Sequence, residues 1–66
     1  MEKKIFNTYH YGIVTVTSTG DTDQFGNKEF EMTAEDGGDY GYIYHKSIND
    51  ITEDDIAQQI DENLFG

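Results

Sequence analysis

Apolar and polar residues alternate along the first two thirds of the chain, and that rhythm gives way to a four-residue apolar repeat near the end. Tyr9 to Thr19 reads Tyr-His-Tyr-Gly-Ile-Val-Thr-Val-Thr-Ser-Thr. Such a density of β-branched and aromatic residues predicts a strand, beginning as early as Lys4. Thr15, Thr17 and Thr19 alternate with Val14 and Val16, which gives one polar and one apolar face. Gly12 marks a bulge or bend. Gly20 to Asn27 has the composition of a turn. From Lys28 to Glu35 the alternation returns, with Phe30, Met32 and Ala34 on one side and Glu29, Glu31, Thr33 and Glu35 on the other. Asp36-Gly37-Gly38-Asp39 predicts a second turn. Tyr40 to Lys46 is then a third strand, with Tyr40, Tyr42 and Tyr44 on one face and Gly41, Ile43 and His45 on the opposite one.

The helix has the clearest local signals. Thr52 is a good N-cap, and Asp55 makes an acidic variant of the capping box. Ile51 and Ile56 occupy the two positions of a hydrophobic staple. Glu53, Asp54 and Asp55 fall in the first turn, where the helix dipole favours anions. Ile56, Ile60 and Leu64 form an apolar stripe. The expected fold is α+β: a single domain over residues 1–66, with a three-stranded antiparallel sheet and one C-terminal helix packed on one face. One helix covers one face, so the other is left for a partner or for a homodimer formed through the sheet.

Charge changes this picture most. Fourteen Asp and Glu stand against four Lys, for a formal charge of -10. A small soluble domain commonly carries about 2–8 units. The acids are also segregated. Ile5 to Gly20 holds no formally charged residue, while Asp21 to Glu62 holds thirteen acids and two lysines. Nine aromatics argue for a packed body rather than an acidic disordered chain. So negative a protein is repelled by nucleic acid and by anionic membranes, so a basic protein surface is the natural counterpart. The commonest such surfaces are those that bind DNA or RNA. No apolar run reaches about 18 residues, and the start lacks the apolar segment of a signal peptide, so a cytoplasmic protein is expected.

Catalysis has little to draw on. The chain has no Cys and no Arg, and no glycine-rich phosphate loop. His10 and His45 are the only imidazoles, and two strand histidines are more often structural than ligands. Asp21 to Gly26 has the acids and glycine of a calcium loop at three positions, but Phe25 and Met32 stand where ligands are required. The reading is a non-enzyme with no cofactor and no metal.

The acids suit binding better. Glu29 and Glu31 on a strand project from one face about 6.7 Å apart, a spacing of the same order as neighbouring phosphates on one nucleic-acid strand. Glu35, Asp36 and Asp39 continue the line through the turn, and Glu53, Asp54 and Asp55 add a second cluster. Tyr40, Tyr42 and Tyr44 would add apolar grip beside the charge. Either these acids imitate a DNA backbone and bind a basic DNA-binding protein, or they only keep the chain soluble.

The run Tyr42-Ile43-Tyr44-His45-Lys46-Ser47-Ile48, followed by an acid-led helix, resembles the small uracil-DNA glycosylase inhibitors of phi29-like Bacillus phages. That family is short and acidic and has a Tyr-x-Tyr-His-Lys strand end leading into a helix. Its members act as dimeric DNA mimics that block the enzyme's DNA groove and enclose a protruding leucine. The resemblance implies a phage inhibitor of host uracil-DNA glycosylase, with Tyr42, Tyr44, His45 and Lys46 at the matching positions. The chain departs from the family in having Ile43 where an acid stands, no aromatic pocket residues on the helix, and no strand after it. Two readings stay beside this one: an anti-CRISPR or anti-restriction DNA mimic, and a structural or dimerisation module.

Overall fold

The alternation running from Lys4 to Thr19 is broken in space by a turn. In the computed structural model, which describes residues 2–66, this stretch is two strands. β1 spans Lys3–Thr8 and β2 spans Gly12–Thr22. The sheet therefore has four strands, not three. The turn forms because Gly12 takes φ +68, a conformation that L side chains rarely adopt. Thr8 locks it: its Oγ1 donates to Gly12 O at 2.8 Å and accepts from Tyr11 N at 3.1 Å. Tyr9, His10 and Tyr11, read as the start of a strand, are the turn itself.

β3 spans Lys28–Ala34 and β4 spans Asp39–His45. The order is β1-β2-β3-β4, a meander in which each strand pairs antiparallel with its chain neighbour. A short 3-10 turn, Ile48–Asp50, then leads to α1, Glu53–Phe65. The architecture is α+β, with the C-terminal helix lying on one face of the sheet.

Strand alternation decides what that helix covers. Phe6, Val14, Val16, Phe30, Met32 and Ile43 project beneath it and are buried. Ile48, Ile51, Ile56 and Ile60 close the core from the other side. Each such side chain contributes about 1.5–3 kcal/mol when fully removed from water. Thr52 caps α1 as its sequence predicts, in a reciprocal capping box with Asp55, and both staple residues are buried. Leu64 departs from the expected stripe. It lies in the last helical turn, beyond the core, and is 50% exposed.

β4 carries the second departure. Met32 pairs with Gly41 while Thr33 pairs with Asp39, so Tyr40 is an extra residue in a β-bulge. Gly41 has φ +94. The insertion turns Tyr40 to the helix side, where it packs edge-on to Tyr11 with ring centroids 5.4 Å apart. Tyr11 in turn donates its hydroxyl to Asp61 of α1. The predicted single face of Tyr40, Tyr42 and Tyr44 is therefore not formed, because a bulge shifts the two-residue period by one. The helix end is pinned to the bulge by Asn63, whose Nδ2 donates to Tyr40 O at 3.0 Å and Tyr42 O at 3.2 Å.

Candidate functional site

Among the described residues, no element lies over the face of the sheet away from α1. Because Phe30 and Met32 point into the core, Glu29 and Glu31 point out of it on the opposite side. Register then places Tyr44 directly across from Glu29 and Tyr42 directly across from Glu31. Paired positions on one face of an antiparallel sheet have Cβ atoms about 4.5–5.5 Å apart. The result is two carboxylates and two phenol rings in a compact block. Tyr42 is 45% exposed and Tyr44 44% exposed. Both rings present an apolar flank to solvent beside the acids.

Glu29 is held in place. Its Oε2 accepts from the Tyr44 hydroxyl at 2.6 Å, and its Oε1 accepts from Thr19 Oγ1 at 2.7 Å. The Tyr44 bond, followed by the Thr19 bond, holds the Glu29 carboxyl below its ordinary value, with burial opposing. The same contact raises the Tyr44 hydroxyl above its own usual value. A carboxylate has about four lone-pair sites, so two remain for an incoming donor. Thr19 reaches Glu29 because β2 bulges between Ser18 and Thr22, at Gly20 with φ +92. The rest of the face is nearly uncharged: Ile5, Ile13, Thr15, Thr17 and Thr33 fill it, with Lys3 in the Glu31 row. Two strand spacings separate Lys3 from Glu31, about 10 Å.

The other predicted residues divide between two further places. Glu35 and Asp36 are exposed in the β3–β4 turn, continuing the line of β3. Asp36 Oδ1 accepts from Gly38 N at 3.0 Å, and Asp39 Oδ1 accepts from Gly41 N at 2.8 Å, so these two acids also brace the turn and the bulge. Glu53, Asp54 and Asp55 stand at the start of α1, on the covered side of the sheet with Tyr40. The sheet separates them from Glu29 and Glu31. Asp55 accepts from Thr52 N at 3.0 Å, a bond that lowers its pKa, and lies 4.0 Å from His45 Nε2. Glu53 and Asp54 line an open recess of about 650 Å³ with Asn7, Thr8, Tyr9, His10 and Ala57.

The described residues bring together no metal-ligating cluster. No group of three His, Cys, Asp or Glu converges. His10 sits in the β1–β2 turn and His45 at the end of β4, an edge strand that does not pair with β1 or β2. Asp23 serves its own turn, with Oδ1 accepting from Phe25 N and Asn27 N, both at 2.9 Å. Among the described residues no helix is long and apolar enough to cross a membrane. Sequence reasoning passed over Thr19, Thr8 and Asn63, whose roles depend on bulges and turns that join distant residues. No family model matches the chain, and neither a curated protein nor a solved structure shows significant similarity to it.

Proposed function

We propose that this protein is a non-enzymatic DNA mimic that blocks the DNA-binding groove of a basic host enzyme. The supporting observation is the uncovered sheet face on which Glu29 and Glu31 are flanked across the strands by Tyr44 and Tyr42. Carboxylates about 6.7 Å apart meet lysines and arginines that otherwise hold successive phosphates. The long-range field of a chain at -10 speeds the encounter. The tyrosine flanks supply the apolar contact that charge alone lacks. Glu35 and Asp36 extend the strip at the turn. The acids of α1 lie across the sheet and act through their field.

Uracil-DNA glycosylase is the leading target, because the Tyr42 to Ile48 run resembles that of its phage inhibitors. Such a target works on DNA in the cytoplasm, which is where this reading places the protein. The test is competition: purified glycosylase, a Cas nuclease and a restriction enzyme are each offered the protein with and without duplex DNA, over a salt series. The expected result is binding to one of them that DNA displaces and salt weakens steeply. The double variant Glu29→Lys, Glu31→Lys should lose that binding at least tenfold while keeping its circular dichroism spectrum. Equal binding by the variant would remove this face from the interface.

A further inference from the structure

An open meander has two edges, and here they differ. On β4 the outward carbonyls of Tyr40 and Tyr42 are occupied by Asn63. On β1 nothing comparable sits among the described residues. The bond from Ser18 N to Glu2 O, 2.8 Å, sets the phase of the β1–β2 ladder. Glu2 lies opposite Ser18 in the register that pairs Lys3 with Thr17, so the bonded positions of β1 are Glu2, Lys4, Phe6 and Thr8. The N–H and C=O groups of Lys3, Ile5 and Asn7 therefore point away from β2, along the free edge. Ile5, midway between the other two, is 64% exposed.

We propose that two copies of this chain pair through β1, antiparallel, about a two-fold axis at Ile5. In that register Ile5 faces Ile5 of the second copy, and Lys3 faces its Asn7. These are the three residues whose backbone groups point outward, so every one of them finds a partner. No like charges stand directly opposite each other, an arrangement that would oppose pairing. The two Ile5 side chains cover one another on the open face. Charge selects the same edge. Two bodies at -10 repel, but Lys3 to Gly20 carries two lysines and no acid, while thirteen of the acids begin at Asp21. The β1 edge is where two copies approach with their negative halves turned apart. A self-complementary strand edge is an isologous interface, which closes at two. The pairing is independent of any DNA-mimic role.

Sedimentation equilibrium of the full chain over a concentration series, at low and high salt, tests this. A monomer–dimer equilibrium is expected, tightening as salt screens the two net charges, the reverse of the salt response expected for an enzyme target. Ile5→Lys sets like charges face to face and should weaken association at least tenfold with an unchanged circular dichroism spectrum. Register is tested with the only thiols the chain would hold. Ile5→Cys should oxidise to a covalent dimer, because its Cα atoms would lie within disulfide range across the axis. Asn7→Cys should not, since four residues of strand would separate its two copies by about 14 Å. A monomer at every concentration and salt overturns the proposal, as does cross-linking of Asn7→Cys as readily as Ile5→Cys.

Discussion

Replacing Gly41 by Ala tests how the bulge, the helix end and the tyrosine face are joined. Gly41 has φ +94, and a side chain held in left-handed backbone costs roughly 1–2 kcal/mol. A Cβ there would also lie 2.8 Å from Asn63 Nδ2. Asn63 must swing away, releasing its bonds to Tyr40 O and Tyr42 O. Two exposed hydrogen bonds at the low end of the usual range add about 1–2 kcal/mol. The expected loss is about 2–4 kcal/mol, a large share of the ~3–10 kcal/mol that a chain of this size commands. Urea unfolding should show a lower midpoint with an unchanged slope. Melting should fall by about 4–8 °C for each kcal/mol lost. A cycle with Asn63→Ala separates the two terms. Asn63→Ala alone should cost about 1–2 kcal/mol, and Gly41→Ala in that background only the backbone cost, about 1–2 kcal/mol. Strict additivity of the two changes, or a loss for Gly41→Ala under about 1 kcal/mol, would refute the account.

Thr52→Ala removes the N-cap of α1 and should cost about 1 kcal/mol in urea unfolding, within a range of about 0.5–2. Ile60→Ala should cost about 2–5 kcal/mol, whereas Leu64→Ala, at a half-exposed position, should fall well below that range in the same assay. Tyr44→Phe removes the chief cause of the lowered Glu29 pKa, so carbon NMR titration should find Glu29 protonating at higher pH than in the parent. Because the folded-state value is depressed, the Glu29 contribution to stability is present above the ordinary value of 4.5 and disappears as pH falls through the folded value. The stability difference between Tyr44→Phe and the parent should accordingly shrink on acidification.

Much of the fold is legible in the residues. The alternation of β3, the capping box at Thr52 and the staple of Ile51 and Ile56 are local signals that no distant contact overrides. What escaped is what the period cannot encode. Tyr9, His10 and Tyr11 look like strand residues because tyrosine favours strands, yet Thr8 and Gly12 close a turn around them. Gly41 resembles any strand glycine until the pairing of Met32 and Thr33 reveals the inserted residue. That single insertion sends Tyr40 to the helix and leaves Tyr42 and Tyr44 outside. Glu29 and Glu31 share a face, as do Tyr42 and Tyr44, by the two-residue period, but it is the β3–β4 register, which spacing does not encode, that sets them across from one another. The α1 acids did not join them, because α1 lies on the far side of the sheet, a fact of topology that sequence distance does not carry.

Beyond the stability its two bonds add, Asn63 changes what the sheet can become. Two sticky borders on one small flat particle would let copies add end to end into ribbons, the first step toward fibres. By lying across Tyr40 and Tyr42, one amide side chain blunts one border. With only the other border open, growth would stop after a single addition. The finite size of any assembly would then be set not by the contact that forms but by the one that Asn63 prevents.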